Sequence, residues 1–302
     1  MDGILVLDKP TGMTSRDAVN RVHGQLPRRT KIGHTGTLDP LATGVLVLCL
    51  DQATRLVEYV QEMDKVYTAT IRLGARSDSD DADGTIALVD DAVMPTREQI
   101  EATLAEFHGT IDQTPPAFSA AKVAGKRAYA LARRGEEVAL AAKPVRIDAI
   151  LITRFEPPLL EVTVRCGKGT YIRSLARDIG DRLGCGGMIE ALRRTAIGPF
   201  TEATAIDLDA DMTTVRAAVQ PMHRILGHLP DMHVTPQQAL DLRNGQFLFG
   251  LTHQPTGTEF ALFQGDEFIG IGRIGEQQEL RPFKMFHASP AERVAPGETK
   301  ID

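Results

Sequence analysis

The run GVLVLCL (Gly44–Leu50) limits what this chain can fold into more than any other feature. It is apolar without alternation and of strand length, so both of its faces must be covered, and it reads as a buried strand. KVYTATIRL (Lys65–Leu73) alternates instead. It places Tyr67, Ala69, Ile71 and Leu73 on one face and Val66, Thr68, Thr70 and Arg72 on the other. GILVLD, DAILITRF and LEVTVRC supply further strands. Helices come between them. One starts at Thr14 or Ser15 and carries Val19 and Val22. A second opens on the capping-box pair Thr96 and Gln99, with Ile100, Leu104 and Phe107 at helical spacing. KGTYIRSLARDIGDRLG reads as a helix capped by Thr170 with an apolar stripe of Ile172, Leu175, Ile179 and Leu183, and GGMIEALRR as a further short helix.

At 302 residues the chain has room for a large domain and a small one. The pattern changes near residue 230. Thr235, Pro236 and Gln238 announce a helix ending at Asn244–Gly245, EFALFQGDEFIGIGRI reads as a hairpin about Gly265–Asp266, and LRPFKMF follows as a strand. We therefore expect a larger domain over 1–229, a small β-rich domain over 230–290, and an unstructured tail over 291–302. Residues 113–145, rich in Pro, Ala and basic side chains and weakly periodic, read as an excursion from the core.

No apolar run reaches the roughly 18 residues of a membrane span, and GILVLD is too short and acidic for a signal peptide, so the expected location is the cytoplasm. Cys49, Cys166 and Cys185 lie far apart with no C-x-x-C pair, the pattern of buried reduced thiols. The net charge of −6 argues against a nucleic-acid protein only on average, because a groove needs no more than a local basic surface. Three basic clusters are candidates: PRRTK with Arg28, Arg29 and Lys31, KVAGKRAYALARR with Lys122, Lys126 and Arg127, and LRR with Arg193 and Arg194.

Metal sites fail on spacing. An EF-hand beginning at Asp78 in DSDDADG would need its twelfth-position Glu where Val89 stands, so this acidic run reads as a solvated turn. His223, His228 and His233 recur at steps of five and share no helix face. GHTGTLDPLATG has glycines but no phosphate-loop signature, and no G-x-S-x-G nucleophile motif occurs. What remains is a lone carboxylate, Asp39, in a turn-rich stretch just before the buried strand. An Asp before Pro commonly does no more than initiate a turn. As chemistry, a carboxylate can act at an anomeric carbon, but hydrolysis of glycosides ordinarily pairs two acids. One suffices if the leaving group is an anionic base that is then recaptured, which is isomerisation.

GHTGTLDPLATGVL resembles the active-site motif of the bacterial tRNA pseudouridine-55 synthases, the TruB family. GILVLDKPTGMTSRDAVNRV, KVYTATIRLGARSDSDDADG, CGKGTYIRSLARDIGDRLGCGG and ALRR are similar to its other motifs and stand in family order from about residue 3 to 200. The resemblance implies an α+β fold: a mixed, mostly antiparallel sheet with flanking helices, followed by a small β-rich PUA-like RNA-binding domain.

It also implies an isomerase that flips uridine 55 out of the tRNA T loop, breaks the N1–C1′ bond and joins C5 to C1′, with no cofactor and no metal. By the same resemblance Asp39 is the catalytic carboxylate, Tyr67 stacks on the base, and Arg173 pairs with Asp39, lowering its pKa and orienting it. Tyr171 and Leu192 line the uracil pocket, and His34 fills the gap the base leaves. Lys9, in DKPTG, supports the loop. The excursion around 113–145 corresponds to an RNA-gripping insertion, and the three basic clusters are candidate contacts to the RNA backbone. The partner expected is the tRNA T arm, with no membrane and no obligate protein partner, the chain acting as a monomer.

Overall fold

The computed structural model describes residues 1–119 and 140–287, together with the backbone of the strand pair Lys122–Val123 and Lys126–Arg127. The expected tail, and most of the expected insertion with the side chains of Lys122, Lys126 and Arg127, lie outside the described residues.

The first strands are β1 (Gly3–Lys9), β2 (Ile32–His34), β3 (Thr43–Leu50) and β4 (Lys65–Leu73), with helix α1 (Ser15–Gln25) after β1. The hairpin β5 (Ala75–Ser77) and β6 (Ile86–Leu88) follows, then a short helix α2 that sits earlier, between β3 and β4 (Val57–Glu62), and helix α3 (Arg97–Ala105). Beyond them run β7 (Gly109–Gln113), the small pair β8 and β9 at 122–127, the long hairpin β10 (Lys143–Glu156) and β11 (Leu159–Cys166), helix α4 (Ile172–Arg182) and β12 (Gly187–Ile197). The main sheet has ten strands. Eight run in the order Ile206–Asp207, β1, β3, β12, β4, β11, β10, β7, and Phe200–Thr201 and β2 pair at the side. Only the pairs β1 with Ile206–Asp207 and β12 with β3 are parallel, so the sheet is mixed and mostly antiparallel.

The strand β3 lies inside this sheet, and Val45 to Leu50 are completely buried. Its alternate residues feed two cores. Leu46, Leu48 and Leu50 join α1, α3 and α4 on one side, while Val45, Val47 and Cys49 face the 51–62 helical segment and the small sheet on the other. Each such leucine or valine adds about 1.5–3 kcal/mol of burial. Helix α1 starts at Thr14, whose side chain forms a full capping box with Asp17, and Val19 and Val22 are buried. Thr96 and Gln99 form the same device before α3. All three cysteines are buried.

Two local readings change. GGMIEALRR is not a helix but the start of β12, a central strand between β3 and β4. Ala, Glu, Leu and Arg favour helices, yet tertiary pairing overrides that preference, and register shifts at Ile189/Ala191 and Arg194/Ala196 mark the accommodation. Thr170 does not cap α4. The N-cap is Tyr171, without a side-chain bond of its own. The buried Gln113 of β7 does the work instead, accepting from Tyr171 N at 2.8 Å and donating to Tyr171 O at 3.1 Å.

The second sheet is four-stranded, in the order Asp231–His233, Glu259–Gln264, Glu267–Ile274, Leu280–Met285. Its helix Pro236–Arg243 has Thr235 and Gln238 as capping box and Pro236 in the first turn. The sheet is docked, not tethered. Ala261, Ile271 and Phe286 share a core with Leu56 and Val60, Tyr59 donates to Glu259 at 2.7 Å, and Gln52 bonds both Asp2 and the His287 carbonyl. Among the described residues no helix is long and apolar enough to cross a membrane.

Candidate active site

The loop 35–42 carries Asp39 and is held from three sides. Ser15, 1% exposed, accepts from Leu38 N at 2.7 Å and donates to Leu38 O at 3.0 Å. Lys9, fully buried, donates to the carbonyls of Pro10 and Met13 at 2.8 Å each and reaches that of Pro40 at 3.4 Å. Gly12 N donates to Pro40 O and Thr11 Oγ1 to Leu41 O. These bonds replace water for a polar loop that would otherwise sample many conformers. Burial pushes the Lys9 ammonium down to about 8, against the pull of Asp39.

Asp39 faces a cavity of about 510 Å³ whose wall also includes Lys65, Tyr67, Tyr171, Arg173, Leu192 and Arg194. Arg173 Nε lies 2.9 Å from Asp39 Oδ2, and its Nη1 lies 3.3 Å from Asp81 Oδ2. The same guanidinium donates to Ser79 O at 2.8 Å and Phe118 O at 3.0 Å, so its plane is fixed. The first turn of α4 supplies it, and the acidic turn receives it.

That turn is not solvated. Ser79, Asp80 and Asp81 are all buried, Arg177 of α4 pairs with Asp80 at 2.7 Å, and Ile189 N donates to Asp80 O. DSDDADG is a socket for two arginines one helical turn apart on α4. The signal available in the sequence was the spacing of Arg173 and Arg177, which puts both on one face.

Burial pushes the Asp39 carboxyl above its usual range. Arg173 offsets part of that rise, and the Asp81 charge adds to it. The lowering expected of the arginine is therefore present but outweighed. With 36% of its side chain still exposed, the carboxylate is only partly stripped of water and stays within reach of a substrate in the cavity. Tyr67, 9% exposed, is likewise pushed up by burial, against the opposing charge of Arg194.

The structure brings Asp39, Tyr67, Tyr171, Arg173 and Leu192 to one cavity. His34 stands apart, on β2 opposite Leu48 and outside the cavity wall. Its burial, with Arg16 and Arg194 nearby, disfavours the charged ring. Arg28, Arg29 and Lys31 are exposed. Arg193 pairs with Asp8 and Glu202 and is about one-third exposed. Arg194 corrects the sequence reading: it is 2% exposed, beneath the cavity, and cannot meet a backbone phosphate at the surface. Sequence reasoning also missed the burial of Lys65, whose ammonium donates to the carbonyls of Gln61 and Met63 and is held down at about 8 by burial.

Residues 25–172 match the family described as TruB family pseudouridylate synthase (N terminal domain). Residues 173–227 match the tRNA pseudouridylate synthase B C-terminal domain, and 230–286 match pseudouridine synthase II TruB, C-terminal. A protein of Ruegeria pomeroyi named tRNA pseudouridine synthase B is 41% identical over 295 residues, 95% of this chain and 96% of its own length. One of the same name from Azoarcus sp. is 39% identical over 291 residues, covering 94% and 95%. Among solved structures, an H/ACA RNP bound to a substrate RNA containing 2′-deoxyuridine aligns with a TM-score of 0.71 at 26% identity, over 94% of this chain and 85% of that one. A Cbf5-Nop10-Gar1 complex aligns with 0.70 at 26%, over 95% and 84%.

Proposed function

The chain belongs to the TruB family of pseudouridine synthases, and on that premise we propose that it converts uridine 55 in the T loop of tRNA to pseudouridine, with Asp39 as the catalytic carboxylate. The observation that carries this reading is the Asp39–Arg173 ion pair on a cavity whose other walls are Tyr67, Tyr171 and Leu192. The cavity suits a single flipped base. Tyr67 and Tyr171 present ring surface to it, and Leu192 an apolar edge.

The reaction is an isomerisation. The N1–C1′ bond breaks and leaves the uracil with the electron pair, the base turns within the pocket, and C5 forms the new bond to C1′. The proton on C5 is then lost and N1 gains one, so atoms and oxidation state balance without a co-reactant. Arg173 orients the carboxylate, and the buried turn at Ser79–Asp81 prevents the arginine from following the substrate. Asp39 is poised for attack on C1′ or on C6 of the base, or for removal of a sugar proton, and labelled substrate separates these routes.

Recognition of the folded T arm, PUA-like contacts from the second sheet, and contacts from Arg28, Arg29 and Lys31 to the RNA backbone belong to the same proposal. His34 would take the place of the extruded base. Action in the cytoplasm, where tRNA is modified, is part of it. The test is tritium release from unmodified tRNA carrying C5-labelled uridine, for wild type and Asp39→Ala side by side, with the product position mapped. Release by wild type only, at one T-loop uridine and without free uracil, is expected. Full turnover by Asp39→Ala overturns the role of Asp39, and free uracil would indicate a glycosidase.

A further inference from the structure

Arg194 heads the fully buried side chains by volume, and the reaction as described above gives it no task. Among the described residues no carboxylate pairs with it. Its Nε donates to Val45 O at 2.8 Å and its Nη2 to Gly36 O at 3.0 Å. Burying a guanidinium on carbonyls alone is costly, since dipoles return less than a counter-ion. The fold accepts this cost directly beneath the reacting cavity.

Its partners explain what is gained. Gly36 stands in the loop three residues before Asp39, and Val45 in the strand that follows the loop. Tyr67 is the residue directly opposite Arg194 across the β12–β4 pairing, and both side chains line the same cavity. The backbone is fitted just as closely: a Cβ at Gly44, whose φ is +97°, would lie 2.2 Å from Arg194 O. One planar, rigid group thus bonds the Asp39 loop and β3 from the position across the strand pair from the tyrosine.

We infer that Arg194 is a positioning residue for the isomerisation, fixing the Tyr67 hydroxyl against the loop that carries Asp39 so that ring and carboxylate meet the base at a set spacing. This rests on the function proposed above and deepens it. The groups facing the Tyr67 phenol are Arg194 from β12, Cys166 from β11 and Asp39 from the loop. Arg194 supplies the positive charge among these three. Its side chain, 2% exposed and bonded to Val45 O and Gly36 O, acts through Tyr67 and the loop.

The test compares Arg194→Lys and Arg194→Gln, alone and combined with Tyr67→Phe, by thermal melting, tRNA affinity and single-turnover tritium release. Arg194→Gln is expected to slow the single turnover by about tenfold or more with tRNA affinity within about twofold. Arg194→Lys, keeping the charge but not the fork, falls between Gln and wild type. In the Tyr67→Phe background the Arg194→Gln change should cost clearly less, since the hydroxyl it aligns is gone. Folded variants that turn over like wild type, or losses that simply add, overturn the inference.

If neither variant folds, wild type decides. The chain has four tyrosines, so the Tyr67 resonances are assignable in labelled protein. A slowly exchanging hydroxyl proton close to the Arg194 guanidinium is expected, and a freely exchanging hydroxyl with no such contact overturns the inference. A wild-type protein that does not isomerise uridine refutes the proposed function instead and leaves the magnetic-resonance result standing.

Discussion

Replacing Arg173 by Met tests how the site is held together. The side chains of Arg173 and Asp81 are 5% and 4% exposed, whereas that of Asp39 is 36% exposed. When the arginine goes, Asp39 can turn toward water, but Asp81 cannot. The cost therefore falls on Asp81, left as an uncompensated buried charge, and removing one partner of such a pair costs about 3–5 kcal/mol. With roughly 2–4 °C of Tm per kcal/mol for a domain of this size, Arg173→Met should melt on the order of 10 °C below wild type. Asp81→Asn removes the stranded charge while leaving an oxygen for Ser79 Oγ and Asp83 N, which now bond Asp81 Oδ1 at 2.5 and 3.1 Å. The double variant Arg173→Met/Asp81→Asn should thus melt above Arg173→Met alone, although it stays inactive. Calorimetry on wild type, both single variants and the double variant reads this directly. A drop of less than about 2 °C for Arg173→Met, or a double variant whose loss is the sum of the two singles, refutes the argument.

Three further outcomes follow from charges and burial. Asp39 has its pKa raised in the fold, so the native state holds that proton more tightly than the unfolded chain, and ionisation weakens the fold above the ordinary carboxylate range. Asp39→Asn should abolish turnover yet melt at or above wild type at neutral pH, with the gain gone below roughly pH 3.5; a variant that melts lower at pH 7 contradicts this. Lys65 is lowered from 10.5 to about 8, so the unfolded chain binds the extra proton between those values and stability gains with pH across that window. Relative to wild type, Lys65→Met should show a shallower rise, or a steeper fall, of Tm from pH 8 to 10, and parallel curves would exclude the shift. For Arg28→Ala/Arg29→Ala, the slope of log affinity for tRNA against log salt should shrink by about 1.5, as two lost phosphate contacts require; an unchanged slope removes both residues from the interface.

The sequence was readable where local rules and tertiary demand agree. The period-2 pattern of β4, the unbroken apolar run of β3, the capping boxes at Thr14, Thr96 and Thr235 and the Gly265–Asp266 turn each fix their element from nearby residues alone. Reading failed where a distant partner decides. GGMIEALRR has helix-forming composition, and only the vacancy between β3 and β4 makes it a strand. The acids of DSDDADG look solvated until Arg173 and Arg177, nearly a hundred residues later, come to fill the turn. Arg194 looked like surface charge because a run of two arginines gives no sign that β-pairing sends one outward to Asp8 and the other beneath the cavity. Asp39, Tyr67, Tyr171, Arg173 and Leu192 were singled out through resemblance, and no spacing argument would have assembled them from four separate segments.

The last turn of α4 lies against β12 without any side chain between them. A Cβ at Gly180 would stand 2.1 Å from Gly187 N, and one at Gly187 would stand 2.5 Å from Ala176 O. Backbone rests on backbone, as closely as within a single element. For anyone building hybrids of this chain and its relatives, the unit of exchange is therefore neither helix nor strand but 167–197 taken whole. A crossover between Gly180 and Gly187 would join two halves never fitted to each other, and Arg173 would lose its aim even with every side chain around it retained.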